Sequence, residues 1–274
     1  MIRINTTLSQ TLSVQLATSV ALDNGIEEVY ELVKDHEKDL EDNKFLKEAR
    51  NILQAANKKG FFKGKFGEGH FLRQHKEMLD QSVMMAINRH RGEYRESGYP
   101  YLAHVLSTGF ILARLGFPAE VVLAGILHDT IEDTPDKNRM LNKLYSLSPA
   151  VAWYVFGVSG PDIRDAVEKD KQLHARLKSI SEHSGDLFPG AIKVADGIAN
   201  LYDIEFMRPK DGRTATDRQK LFISKIKEQV MPYARQIDKK GLIPVKRKGE
   251  VFSLEEYLEE CIHHKLSVIE AGQT

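Results

Sequence analysis

The chain has 274 residues, of which 39 are basic and 39 acidic, so its formal net charge is zero. With 42% hydrophobic and 28% charged residues it has the balance of a folded protein, long enough for one or two domains with a buried core, and not that of a disordered tail. Zero net charge argues against bulk electrostatic binding of nucleic acid, and the lone Cys261 excludes an intrachain disulfide framework or a Cys-rich zinc site.

The N-terminal stretch 8–22 interleaves polar and apolar residues and lacks the continuous apolar core of a secretory leader. No run of about 18 apolar residues exists, so no membrane span is expected, and the expected location is the cytoplasm. Residues 25–36 then place Ile26, Val29, Tyr30 and Val33 on one helical stripe, and 45–57 do the same with Phe45, Ala49, Ile52 and Leu53. The glycine-rich stretch 58–70 reads as a connector. It lacks the G-K-[ST] ending of a phosphate-cradling loop. From Phe71 a helix carries Leu72, His75, Leu79, Val83, Ala86, Ile87 and His90, and Gly92 and Gly98 mark a break. Pro100 opens the next helix, with Leu102, Leu106, Phe110 and Leu115, and Gly116 follows its end. Pro118 starts another through Leu127, stopped by Pro135. Residues 141–157 and 165–180 are expected to be helical, Pro189 and Gly190 to punctuate, and 214–238 and 254–268 to close the chain as helices. No sustained strand alternation appears, so the expected fold class is all-α.

The chemistry gathers in A-G-I-L-H-D-T-I-E-D-T at 124–134, where an apolar run leads into His128, Asp129, Glu132 and Asp133. Spacings of four put His128 with Glu132 and Asp129 with Asp133 on common sides of a continuing helix. An imidazole beside a carboxylate suits a divalent metal with mixed nitrogen and oxygen ligation. Two further candidates end apolar runs elsewhere: His104 in P-Y-L-A-H and Asp196 in A-I-K-V-A-D. Each taken alone reads more readily as a core histidine or a helix-end aspartate. A metal site made of them has to be assembled by packing.

Taken together, these stretches resemble the HD-domain metal-dependent phosphohydrolases, and more closely the hydrolase domain of the RelA/SpoT-type alarmone enzymes. That pattern runs H-x-G-Q-x-R, P-Y-x-x-H-P, A-x-L-L-H-D-x-x-E-D-T, G-V-T and K-L-A-D-x-x-x-N. The chain has H-R-G-E-Y-R at 90–95, P-Y-L-A-H at 100–104, the H-D stretch, F-G-V-S-G at 156–160 and K-V-A-D-G-I-A-N at 193–200, in the same order. The resemblance covers roughly residues 71–210, about half the chain, and H-D-x-x-E-D-T is its most specific string. It implies an HD-domain helical bundle over 71–240, with an additional N-terminal helical segment over 1–70 and a C-terminal helical segment over 241–274.

The resemblance further implies a metal, usually manganese, held by His104, His128, Asp129 and Asp196, with Glu132 and Asp133 assisting the attacking water. It implies a nucleotide substrate bound through Arg95, Ser97, Asn200 and Asp203, with Arg95 against the base. The family substrate is a guanosine with a 3′-pyrophosphate, cleaved to GDP or GTP and pyrophosphate. About 35 residues follow Lys240, too few for a synthetase domain. The expectation is therefore a stand-alone small alarmone hydrolase, without nucleic-acid or membrane partners. The chain departs from the pattern at Glu96, Val105, Gly197, Ala199 and Tyr202. Gly197 should weaken its helix by about 1 kcal/mol relative to Ala. The alternatives are an HD phosphohydrolase for another nucleotide, such as an adenosine alarmone, and a non-catalytic regulatory HD module.

Overall fold

The computed structural model describes residues 22–58, 75–132, 134, 136–243 and 253–271. Among these residues the regular structure is helical, with two isolated bridges, Tyr94–Pro100 and Lys210–Arg213, and no strand. The fold is all-α, as the periodicity predicts.

Two helices at the centre are apolar almost all round: α4 (Tyr101–Arg114) and α5 (Ala119–Leu127). A helix hydrophobic on every side has to sit inside. Pro100 and Pro118 immediately precede them, with φ fixed near the helical value. The two cross closely because glycines meet there. A Cβ on Gly125 would overlap Leu112, and one on Gly109 would overlap Ile126. That close approach brings the region of His104 on α4 next to the end of α5.

A third helix, α9 (Phe188–Tyr202), packs against both. Pro189 and Gly190, expected as punctuation, lie inside its first turn, where a missing N–H costs nothing. Gly190 receives the ring of Tyr233, whose Cδ1 would stand 3.0 Å from an added Cβ. Around this centre lie α3 (Lys76–His90), α6 (Lys137–Leu147), α7 (Pro149–Val158), α8 (Ala166–Ser184), α10 (Ala215–Lys225), α11 (Met231–Lys239) and α12 (Leu254–Ala271).

Two expectations of continuous helices are corrected. The span 141–157 is broken between α6 and α7 because Ser148 adopts an extended backbone and caps α7, and Pro149 cannot continue the donor ladder. The span 214–238 is interrupted by a π turn at Ile226–Val230, just before Pro232, which has no N–H to give back.

The N-terminal helices, α1 (residues 22–35) and α2 (Asn43–Lys58), join the same core. Leu22, Ile26, Val29, Tyr30 and Val33 form the buried stripe of α1, and Phe45, Ala49 and Leu53 that of α2. Arg50 on α2 donates to both oxygens of Asp80 on α3, at 2.7 and 2.8 Å. The stretch 8–21, nearly all of the 58–70 connector, the Phe71–Leu72 start of the following helix and the Pro135 stop lie outside the described residues.

Candidate metal centre

Helix α5 ends at Leu127, so His128 and Asp129 stand in a turn and not on a helix. The same-side spacing argument for His128 and Glu132 therefore does not hold. At this helix end His128 Nδ1 bonds to the carbonyl of Gly125 at 2.8 Å, and Thr130 Oγ1 donates to that of Leu127 at 2.7 Å. Side chains thus serve two of the last carbonyls of the helix. Because Nδ1 of His128 donates to a carbonyl, its Nε2 is the nitrogen turned to the cluster.

His104, His128 and Asp196 are all buried, and their donor atoms lie within 4.8 Å of one another, a group that could hold a metal ion. Asp196 Oδ1 lies 3.2 Å from His104 Nε2 and 3.5 Å from His128 Nε2. Asp129 Oδ2 lies 3.1 Å from His128 Nε2 and 3.9 Å from His104 Nε2. Three elements supply these groups: α4, the turn after α5, and α9. Tyr101, one turn before His104, donates its hydroxyl to Asp129 Oδ2 at 2.7 Å. Lys193 donates to Asp196 Oδ2, and Asn200 Nδ2 to Asp196 Oδ1 at 2.6 Å.

The charges in this cluster are unevenly held. Burial opposes ionisation of Asp129 and Asp196. His128 nevertheless holds Asp129, and Lys193 with His128 holds Asp196, well below the usual carboxylate range. Burial also disfavours charge on His128, but the two carboxylates outweigh it and push its pKa up to about 10. Burial, reinforced by Arg95, keeps His104 neutral by lowering its pKa. The cluster therefore demands a positive charge at the point faced by His128 Nε2, from a proton or a cation. That nitrogen is buried without a hydrogen-bond partner. Two imidazoles and two carboxylates around it are a donor set that fits a divalent ion.

Beside the cluster, Glu132 Oε1 accepts from the backbone N–H of Gly160 at 2.7 Å, and Oε2 accepts from Lys169. Glu132 is thereby tied to the α7–α8 connection and to α8. Asp133 lies outside the described residues.

A second polar group stands further along α9. The turn at 95–98 closes by the Gly98 N–H donating to the Arg95 carbonyl at 2.9 Å, and Gly98 has a positive φ of 88°. This turn presents Arg95 to Asp203, whose two oxygens accept from Nε at 3.0 Å and Nη2 at 2.9 Å. Arg95 Nη2 also donates to Asn200 Oδ1 at 2.8 Å, and Ser97 Oγ to Asp203 Oδ2 at 3.3 Å. Arg95, Ser97, Asn200 and Asp203 are thus brought together. Lys193, Asp196, Asn200 and Asp203 recur at three- and four-residue intervals, so α9 carries one polar stripe through both groups.

Four of the five departures from the family pattern have local surroundings that accommodate them. Glu96 faces away from the cluster and pairs with Arg218 at 2.8 and 3.0 Å. An added Cβ on Gly197 would meet Val230 of the π turn at 3.3 Å, and Ala199 is wholly buried. Tyr202 packs on Tyr30 of α1. Sequence reasoning passed over Tyr101, Lys193 and Lys169. Tyr101 and Lys193 stand inside quoted motifs, but Lys169 sits in a charged run that reads as a solvated face.

Residues 82–222 match the HD domain family, and the chain belongs to that family. More particularly, it is 34% identical over 131 residues to the guanosine-3′,5′-bis(diphosphate) 3′-pyrophosphohydrolase of Haemophilus influenzae, covering 47% of this chain and 19% of that protein. It is 34% identical over 146 residues to the bifunctional (p)ppGpp synthase/hydrolase SpoT of Escherichia coli, covering 53% and 20%. It is 31% identical over 156 residues to a probable GTP diphosphokinase, RSH2, of Oryza sativa, covering 54% and 21%. The chain thus aligns with about a fifth of the length of these relatives.

Proposed function

We propose that the protein hydrolyses the 3′-pyrophosphate of guanosine alarmones, ppGpp and pppGpp, to GDP or GTP and pyrophosphate. The observation that carries this reading is the pairing on one face of α9 of the buried His104–His128–Asp196 group with the Arg95–Asn200–Asp203 group. The names of its relatives from Haemophilus influenzae and Escherichia coli favour this nucleotide class.

In this reading His104, His128, Asp129 and Asp196 hold one divalent ion, manganese by preference. When bound, it supplies Lewis-acid charge for the phosphoryl oxygens and lowers the pKa of water. Tyr101 and Asn200 orient Asp129 and Asp196 through their hydrogen bonds. Glu132 orients the attacking water and takes its proton, with Asp133 assisting. Lys169 and the Gly160 N–H fix the Glu132 carboxylate. Arg95 stacks its planar cation on the base, while Ser97, Asn200 and Asp203 line the ribose and base side. Water attacks the phosphorus next to the ribose 3′ oxygen, the P–O3′ bond breaks, and the oxygen leaves with a proton.

The HD unit is read as 71–240, which contains the matched residues 82–222, with 1–70 and 241–274 as flanking helical segments. No helix among the described residues is long and apolar enough to cross a membrane, and we place the reaction in the cytoplasm. The test is turnover of a nucleotide panel with manganese, followed by chromatography of the products. GDP or GTP with intact pyrophosphate is expected. Release of single orthophosphates, or equal turnover of a nucleoside 5′-monophosphate, would assign the site to another nucleotide. No turnover by metal-loaded protein would make the chain a regulatory HD module.

A further inference from the structure

Helix α1 contributes nothing to the metal cluster, yet its Tyr30 stands between the two elements that carry Arg95 and Asp203. The Tyr30 ring meets Tyr99 edge-on, 5.0 Å between centroids at 72°. It meets Tyr202 at 4.8 Å and 47°. Tyr99 belongs to the Arg95 turn, and its carbonyl accepts the Arg95 backbone N–H at 2.8 Å. Tyr202 is the last residue of α9, directly before Asp203. Tyr30 is among the largest fully buried side chains of the protein. A wedge of this kind fixes how far apart its two neighbours stand, because a buried ring has few ways to yield.

Two further observations support a positional effect. Asp203 and Arg95 both act electrostatically on the Tyr30 hydroxyl, so the wedge lies close to the pair. The hydroxyl itself is buried and has no hydrogen-bond partner. An unpartnered buried hydroxyl is a cost and not a source of stability, so the ring is the part that acts.

We propose that Tyr30 is a positioning residue that sets the separation of the Arg95 turn from the end of α9, and with it the geometry in which Arg95 and Asp203 receive a nucleotide. The catalytic consequence rests on the function proposed above, whereas the geometry of the Arg95–Asp203 pair does not.

The experiment compares Tyr30→Leu, Tyr30→Phe, Tyr99→Leu and Val33→Ala in the full chain. Val33 is buried on the same helix and serves as a stability control. Two readouts are taken: the exchange-protected Arg95 Nε–H signal by nitrogen-15 NMR without nucleotide, and steady-state kinetics with ppGpp and manganese. Tyr30→Leu should abolish the protected signal and raise KM about tenfold with kcat nearly unchanged, short of the ~10²-fold that a 1 Å misplacement can cost. Tyr99→Leu, at a less buried position, should act in the same direction should Tyr30→Leu fail to fold. Tyr30→Phe should match the wild type in both readouts, with an equal or higher melting temperature. Val33→Ala should melt lower and leave both readouts intact. The wedge is refuted if Tyr30→Leu and Tyr99→Leu keep the Arg95 signal, or if Val33→Ala loses it too. Failure of wild-type protein to turn over ppGpp would refute the function alone, since the NMR comparison needs no substrate.

Discussion

Tyr101 and His128 converge on a single oxygen of Asp129: the tyrosine hydroxyl donates to Oδ2 at 2.7 Å, and the imidazole Nε2 lies 3.1 Å from it. Tyr101 stacks in turn on His90, 4.7 Å between ring centroids, and the Arg95 guanidinium lies over the same tyrosine ring, 5.5 Å from its centroid. Asp129→Ala should therefore lose both metal and activity. Tyr101→Phe keeps the stack and removes only the hydrogen bond. It should weaken metal affinity by about 10–100-fold, the usual range for loss of a group that orients a ligand. Titration with manganese measures both, and an unaltered affinity in Asp129→Ala would refute the assignment.

The Glu132 carboxylate is bonded to the Gly160 N–H and to Lys169, and so is held apart from the His104–His128–Asp196 group. Glu132→Gln retains an oxygen for the Gly160 N–H. It should keep metal and nucleotide while turnover falls by about 10²–10⁴-fold, the scale of general acid–base assistance. Elemental analysis of the variant is the check, because loss of the metal would make Glu132 a ligand.

Removing Arg95 should do two separable things. Arg95→Ala raises KM more than it lowers kcat, because stacking on a base is mostly uniform binding. It also leaves the carboxylate of Asp203, whose side chain is only 5% exposed, without its cation. The stability loss should stay below the about 3–5 kcal/mol of a fully buried broken pair, because Ser97 still donates and the guanidinium is partly exposed. Adding Asp203→Asn should restore stability without restoring KM. Urea melts and kinetics on the same preparations separate the two effects.

Acid should weaken the fold through His90. Burial lowers its pKa below the ordinary 6.5, against the pull of Glu93. The folded protein therefore binds fewer protons at this ring than the unfolded chain does. Its contribution is fully present above pH 6.5 and declines as the pH falls below that value. Urea melts at several pH values between 7.5 and 5.5 should show that decline, and His90→Gln should lessen its slope. A slope unchanged by the substitution would show that the loss arises elsewhere.

The convergence of His104, His128, Asp129 and Asp196 was legible only through the resemblance that their strings carry together, since each taken alone reads as a core histidine or a helix-end aspartate. The central helices were legible as apolar runs, with Pro100 and Pro118 marking where they begin. What stayed hidden depends on competition or distance. Nothing in the spacing of 128–133 says that the helix will end at Leu127, with His128 and Thr130 bonded to the carbonyls of Gly125 and Leu127. The pairing of Lys169 with Glu132 spans 37 residues and two helix boundaries. Tyr30 reads as one more core residue until its two tyrosine neighbours are in view.

The polar stripe of α9 makes that helix a ruler. From Asp196 to Asp203 the chain advances seven residues, about 10 Å at 1.5 Å per residue. One end is graduated by the metal cluster and the other by the Arg95 pair. Both marks sit along one largely buried helix, Asp203 at its C-terminal end, and Asp196 faces α4 and the turn after α5 through His104 and His128. The side chains close much of that interval: Asn200 accepts from Arg95 and donates to Asp196, so a single amide bridges the two groups. Under the function proposed above, a nucleotide reaching both groups would lie along one face of one helix, and the order in which it meets them would follow from the helix itself.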